Sequence, residues 1–175
     1  MVAFVDTNVL VYARDPYAGI KREIASDWMS KLWAEDAGRI SFQVLGEFYV
    51  TVTRKLRETV DEGVAWAEVS DLLAWKPRAI DAELLKRAHE ITLRYKLSWW
   101  DSQIVAAAQL QNCTLLLTED LQDGADLGGV TVLNPFGNRV NEAVADYAAP
   151  IPIRGSTHPR RGRPPGSKRS ATPGT

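Results

Sequence analysis

Short apolar runs alternate with longer stretches of helical periodicity over the first 137 residues. Gly38, which tolerates positive φ, is expected to end the first of the long helical stretches. The apolar runs 2–5, 39–43, 113–118 and 130–133 predict buried strands, with a weaker one over 77–80, and the periodic stretches 18–36, 44–56, 61–74, 81–96 and 100–111 predict helices. This alternation predicts a doubly wound, Rossmann-like α/β fold, with a parallel sheet of four to five strands and helices on both faces.

The amino-acid composition of the chain changes near its C-terminal end. Beyond Pro150 it is rich in Pro, Gly, Arg and Ser, with too little apolar surface to offset the loss of chain entropy on folding. We therefore predict a folded domain over 1–137, a connecting segment over 138–149 and a disordered basic tail over 150–175.

Composition favours a cytoplasmic protein. The single cysteine, Cys113, cannot form an intrachain disulfide, which suits a reducing compartment. No apolar run approaches the roughly 18 residues that a transmembrane helix needs. The N-terminus also lacks the pattern of a signal peptide, so no membrane partner is expected.

The formal net charge of −1 averages two unlike parts of the chain. From Ala149 onward there are six Lys and Arg residues and no Asp or Glu. The rest of the chain carries 15 basic and 22 acidic residues, a net charge of −7. An acidic body with a basic tail indicates a nucleic-acid partner.

Acidic residues fall where predicted strands end. Asp6 follows the first strand and Asp120 follows the strand over 113–118; Glu47 lies one turn into the helix after the second strand, and Asp101 lies in the first turn of the helix over 100–111. Ligands of open parallel sheets bind beyond the carboxyl ends of the strands. If the four acids share that edge, they repel one another unless a cation is present, and Mg²⁺ or Mn²⁺ is the cation that prefers oxygen ligands.

Each acid also has a purely structural interpretation. Asp6 suits the N-cap of a following helix, and Ser98 with Asp101 matches a capping box. Glu47 suits a solvated helix face, and Asp120 suits a turn. Taken singly, no one of the four establishes a catalytic site.

Four blocks of sequence stand in order between residues 2 and 137: FVDTNVLVYA, SFQVLGEFYVTVTRK, LSWWDSQIVAAAQLQNCTLLLTEDLQDG and VTVLNPF. In these blocks the chain resembles the PIN domain family, and specifically the VapC-type toxin ribonucleases. The resemblance implies a Mg²⁺- or Mn²⁺-dependent endoribonuclease whose acidic site is Asp6, Glu47, Asp101 and Asp120. It also implies a homodimer that a VapB-type antitoxin neutralises.

Three polar residues accompany these acids. Thr7 and Asn8 follow Asp6 directly, and Thr118 stands two residues before Asp120. We expect their side chains to supply hydrogen bonds around the carboxylates. Trp100 is a candidate for base stacking because it precedes Asp101, whereas Trp28 and Trp33 lie at helical spacing typical of core or dimer contacts.

The tail contains a second motif. Arg161, Gly162, Arg163 and Pro164 form an R-G-R-P sequence that resembles an AT-hook, although a second proline, Pro165, stands where a basic residue is usual. An extended Arg-Gly-Arg segment fits the narrow minor groove of A·T-rich DNA, where negative potential attracts arginine. The alternative is a nonspecific polybasic tail.

Three classes of function thus stay open. The first is an RNA-cleaving toxin, which needs the four acids. The second is a nuclease that acts on DNA or is tethered to it through the tail. The third is a non-catalytic nucleic-acid-binding protein on the same fold.

Overall fold

The computed structural model describes residues 1–56 and 58–137. Its four-stranded parallel sheet has the order β2-β1-β3-β4, with β1 at Ala3–Val5, β2 at Gly38–Arg39, β3 at Leu115–Leu117 and β4 at Thr131–Leu133. Phe4 is paired with Arg39 on one side and with Leu116 on the other. The weak strand expected over 77–80 is reduced to one parallel bridge between Arg78 and Ser41. The fold is α/β, as predicted.

Six helices connect and cover the strands of the described chain. They are α1 (Thr7–Arg14), α2 (Ile20–Ala34), α3 (Phe42–Lys55), α4 (Glu62–Leu72, followed by a 3-10 turn at Leu73–Trp75), α5 (Ala82–Tyr95) and α6 (Trp99–Leu110). Side chains of Asp6, Ser41, Asp61, Asp81 and Ser98 accept hydrogen bonds from backbone N–H groups at the helix starts. These caps satisfy donors that the first turn of a helix leaves unpaired.

Both faces of the sheet are covered. Every residue of β1 and β3 is buried, although successive side chains of a strand point to opposite faces. Helix α6 is buried without interruption over residues 102–108, which fits a position between α5 and the sheet. Such a sheet is apolar on both sides, which explains why the strands read as continuous apolar runs.

Two local predictions were wrong. The strand expected over 39–43 ends at Arg39, because Ser41 caps α3 and the helix begins at Phe42. Gly38 does not end α2, since the residue with positive φ after that helix is Asp36, at 48°. Glycine is required at 38 for a different reason: a Cβ there would lie 2.4 Å from the ring of Trp75.

The predicted connecting segment (138–149) and disordered tail (150–175) lie outside the described residues. Among the helices of the described chain, none combines the length and the hydropathy needed to span a bilayer.

Candidate active site

Asp6 connects the first strand to the first helix. Its Oδ1 accepts a hydrogen bond from the backbone N–H of Thr7 at 2.7 Å, so it does cap α1. Its second oxygen, Oδ2, accepts from the hydroxyl of Thr118 at 2.7 Å, and Thr118 directly follows the neighbouring strand β3. Capping therefore occupies only one of the two carboxylate oxygens of Asp6.

The protonation of Asp6 is unusual. Burial raises its pKa to about 6, and the negative charges of Asp120 and Glu47 add to the rise, while the hydrogen bonds from Thr118 and Thr7 oppose it. Burial without a cationic partner disfavours the charged form of a carboxylate. Asp6 is thus an acid whose surroundings lack positive charge.

Thr118 and Asn8 join Asp6 to Asp120. The buried hydroxyl of Thr118 donates to Asp6 and accepts from the backbone N–H of Asp120 at 3.1 Å. The side-chain amide of Asn8 donates to Oδ2 of Asp120 at 3.0 Å and lies 3.1 Å from the Thr118 hydroxyl and 3.3 Å from Oδ2 of Asp6. These contacts hold together residues that are more than 100 positions apart in sequence.

Glu47 reaches the same cluster from α3. Its Oε2 accepts from the hydroxyl of Thr7 at 2.9 Å, and its Oε1 accepts from the side-chain amide of Gln43 at 3.0 Å. Gln43 was not predicted as a site residue, although a spacing of four residues on one helix places its side chain beside that of Glu47. The structure thereby links Asp6, Glu47 and Asp120 through Thr7, Asn8 and Thr118.

Asp101 stands apart from this network. Its Oδ2 accepts from the hydroxyl of Ser98 at 2.7 Å, and its backbone N–H donates to the same hydroxyl at 3.1 Å, which is the capping arrangement. No hydrogen bond among the described residues joins Asp101 to the other three acids. Its helix leads back into β3, so the first turn of α6 lies toward the carboxyl end of that strand.

A cleft of about 240 Å³ is lined by residues from both the turn before α6 and the loop that contains Asp120. Leu97, just before the cap of α6, and Leu121, just after Asp120, both line it. The turn between α5 and α6 together with the first turn of α6, residues 96–101, is called the corner; it carries Asp101 and therefore neighbours the loop that carries Asp120.

The donor set fits a hard divalent cation in chemistry. Asp6, Glu47 and Asp120 offer carboxylate oxygens, and the side-chain oxygen of Asn8 is buried without a hydrogen-bond partner. Within residues 1–56 and 58–137, however, no three acidic, His or Cys side chains are already grouped closely enough to hold an ion. In this arrangement the hydroxyl and amide groups bind the carboxylates instead.

A second cluster lies beside the first. Glu119 forms a salt bridge with the ammonium of Lys21 and accepts a hydrogen bond from the hydroxyl of Tyr12. Burial alone lowers the pKa of Lys21, but hydrogen bonds with Glu119 and Tyr12 raise it on balance. Lys21 also lies 4.5 Å from the centre of the Tyr12 ring. Sequence analysis missed this cluster, although Tyr12 follows Asn8 by one helical turn.

Other candidate residues lie elsewhere. His89 is exposed on α5, and Cys113 is buried, which raises the pKa of its thiol to about 12 and leaves it unreactive. The AT-hook-like residues Arg161, Gly162, Arg163 and Pro164 fall outside the described residues.

Comparison with known proteins agrees with this architecture. Residues 3–122 match the model of the family described as PIN domain. No curated protein matches the chain at a significant level.

Three solved structures are similar to the chain. A toxin–antitoxin complex from Klebsiella pneumoniae is 25% identical, with a TM-score of 0.54, over 76% of this chain and 97% of the other. VapC20 of Mycobacterium tuberculosis, described as a sarcin–ricin loop cleaving toxin, is 21% identical, with a TM-score of 0.50, over 67% of this chain and 89% of the other. VapBC2 of Rickettsia felis, bound to a DNA fragment from its promoter, is 17% identical, with a TM-score of 0.54, over 77% of this chain and 98% of the other.

Proposed function

Because this chain belongs to the PIN domain family, we propose that it is a metal-dependent endoribonuclease and the toxin of a toxin–antitoxin pair. The observation that carries the proposal is the hydrogen-bonded network of Asp6, Asn8, Thr118 and Asp120, with Glu47 tied to it through Thr7. Three acids held in one network without a cationic side chain suit a site that takes its positive charge from outside the protein.

Asp6, Glu47, Asp101 and Asp120 would hold Mg²⁺ or Mn²⁺. When bound, such a cation neutralises the carboxylates, polarises a phosphoryl oxygen and makes water a better nucleophile. The RNA backbone is anionic, and this acidic site repels it in the absence of a cation. Metal binding and substrate binding are therefore expected to depend on each other.

The uncharged residues of the network orient the acids. Thr118 uses its one proton on Asp6 and accepts from the Asp120 backbone and from Asn8, so its hydroxyl is fully engaged. Thr7 and Gln43 each donate to one oxygen of Glu47. Carboxylates fixed in this way lose less side-chain freedom when they bind an ion.

An antitoxin of the VapB type is the proposed protein partner. Two of the similar structures contain toxin and antitoxin together, and the similarity covers 97% and 98% of the one matched chain in each. Exposed apolar side chains on α3 and α4 (Phe42, Val50 and Val64) offer surface that a partner would cover. We also propose that the chain forms a homodimer in the cytoplasm.

The decisive experiment uses the purified full chain and total cellular RNA. We expect cleavage with Mg²⁺ or Mn²⁺, none with a chelator, and none with Asp6→Asn, and sequencing of the cut ends identifies the sites. If Asp6→Asn cleaves at the wild-type rate, the proposed site is wrong. If the wild-type chain cleaves neither RNA nor DNA with either ion, the non-catalytic alternative replaces the proposal.

A DNA-tethered nuclease is the second candidate, favoured by the basic tail. Six cations after Ala149 and the R-G-R-P motif predict binding to A·T-rich duplexes through Arg161 and Arg163. The logarithm of the affinity should fall with the logarithm of salt concentration with a slope of at most about −5. Truncation at Ala149 should remove this binding and leave RNA cleavage intact. Equal affinity of the full chain for A·T-rich and G·C-rich duplexes at physiological salt would reduce the tail to a generic polycation.

A further inference from the structure

Two exposed tryptophans begin α6, directly before Asp101. Trp100 is 62% exposed and Trp99 is 39% exposed. Each of the other four tryptophans of the chain packs against an aromatic ring or lies under a lysine: Trp33 with Trp75, Trp66 with Tyr49, and Trp28 with Lys31. Trp99 and Trp100 have no such neighbour among the described residues. Large exposed indoles without a neighbour point to a ligand.

The position of this pair favours a role in substrate binding. Ser98 caps α6 and bonds Asp101, so the tryptophans and the acid belong to one rigid helix start. Leu97 lines the same cleft as Leu121, the residue after Asp120. A base stacked at this corner would lie beside the proposed site.

The charges around the pair fit a phosphate backbone. Arg94 and Lys96 are exposed at the end of α5, where the corner begins. Neither forms a salt bridge with a carboxylate in the part of the chain that the structure describes. Exposed cations beside unpartnered aromatic rings are the combination that proteins use to bind single-stranded nucleic acid.

We infer that Trp100, with Trp99 beside it, stacks on an unpaired base of single-stranded RNA, while Arg94 and Lys96 contact the adjoining phosphates. The inference rests on the proposed function and deepens it, because it assigns the residues of this chain that hold the RNA beside the proposed site. Trp100 is a positioning residue: it sets which phosphodiester lies next to Asp101. Every base has a stacking face, so the platform selects unpaired over duplex RNA and has little preference among the four bases.

The first test measures binding of the full chain to a single-stranded RNA oligonucleotide, by fluorescence anisotropy at physiological salt with Mg²⁺ present. All proteins compared, including the one that is wild type at position 100, carry Asp6→Asn, so that the RNA stays intact. Because stacking contributes about 1–3 kcal/mol per base, Trp100→Ala should weaken binding by roughly 5- to 150-fold. Trp100→Phe keeps an aromatic face and should recover most of the affinity. The matched control is Trp66→Ala, since Trp66 is 59% exposed on α4, and it should bind like the wild type.

The second test uses oligonucleotides with one abasic position each. One abasic position should weaken binding by the wild type, and the same change should have no further effect on Trp100→Ala. A merely structural role for Trp100 would leave the abasic penalty equal in the two proteins. This coupling therefore separates stacking from a general loss of fold.

Two outcomes overturn the inference. One is equal affinity of the wild type, Trp100→Ala and Trp66→Ala for the oligonucleotide. The other is a change in oligomeric state of Trp100→Ala on sedimentation with the abasic penalty retained, which would make this corner a protein contact. Absence of cleavage by the wild type, with the abasic coupling intact, would overturn the nuclease and leave the stacking platform standing.

Discussion

Glu119 and Asp120 are neighbours in sequence, but their surroundings differ. Glu119 binds the ammonium of Lys21 and the hydroxyl of Tyr12, so its charge has a partner within the protein. Asp120 binds the uncharged amide of Asn8, and no Lys, Arg or His among the described residues forms a salt bridge with Asp120, Asp6 or Glu47.

This difference separates a structural carboxylate from a candidate metal ligand. A paired carboxylate has its desolvation offset by the cation beside it. Acids that share one network without a cation repel each other, and the raised pKa of Asp6 reflects that as well as burial. The proposed metal site is therefore the cluster whose charge the protein leaves unbalanced.

The largest expected effect comes from removing a charge on the unbalanced side of this comparison. Asp6→Asn and Asp120→Asn should each lower RNA cleavage by more than about 100-fold, because changes in groups that only support a metal ligand already cost 10–100-fold. Glu119→Gln, next in sequence, should retain most of the activity. Initial rates on one defined RNA, with circular dichroism as a check of fold, measure this contrast. Equal losses for Asp120→Asn and Glu119→Gln would abolish the distinction drawn here.

A smaller loss is expected when only the supporting hydroxyl is removed. Thr118→Val deletes the donor to Asp6 and the acceptor for Asp120 and Asn8, so cleavage should fall by about 10–100-fold. Thr114 lies before the same strand, at its amino end, and Thr114→Val is the matched control. The Mg²⁺ concentration needed for half-maximal cleavage should rise for Thr118→Val alone. A similar change in both variants would point to a general effect on β3.

The sequence predicted the α/β fold and most of its elements well, because apolar periodicity is a local property. β1, β3 and β4 lie within the predicted runs, and five of the helices agree closely with the predicted stretches. The error at 39–43 arose because alternating apolar residues there resemble a strand, whereas Ser41 starts a helix. The need for Gly38 depends on Trp75, a contact that no local pattern contains.

The sequence indicated candidate residues for the site, but it could not indicate the contacts that join them. Strand ends identify Asp6 and Asp120, since a parallel sheet places those ends at one edge. The amide of Asn8 that bridges them depends on side-chain positions 112 residues apart. The salt bridge of Lys21 with Glu119, 98 residues apart, is equally nonlocal. The capping role of Ser98 for Asp101 was local, and the sequence suggested it correctly.

The third prediction concerns stability without metal. Because the pKa of Asp6 is raised to about 6 in the folded protein, the folded state binds this proton more tightly than the unfolded chain does. Stability should therefore fall as pH rises from about 4 to 6, by up to about 3 kcal/mol for this group. Asp6→Asn should remove that fall and be the more stable protein at pH 7.

Urea denaturation at pH 4, 5, 6 and 7 in the presence of a chelator measures this effect. Asp27→Asn, at an exposed position on α2, is the control and should follow the wild type. Saturating Mg²⁺ should stabilise the wild type at pH 7 and leave Asp6→Asn nearly unaffected. Identical pH dependence for wild type and Asp6→Asn would show that the charge of Asp6 is balanced after all.

The smallest expected effect lies on the paired side of the comparison. Glu119→Gln removes the partner of Lys21, and because both side chains are partly exposed the loss of stability should be about 1 kcal/mol or less at pH 7. The change in stability has the opposite sign to that expected for Asp6→Asn, because Glu119→Gln breaks an attraction whereas Asp6→Asn relieves a repulsion. A double-mutant cycle with Lys21→Met isolates the pair, and the coupling should shrink as salt is added. A coupling of zero at low salt would mean that Glu119 is as unbalanced as Asp120, and the contrast between the two neighbours would then rest on Tyr12 alone.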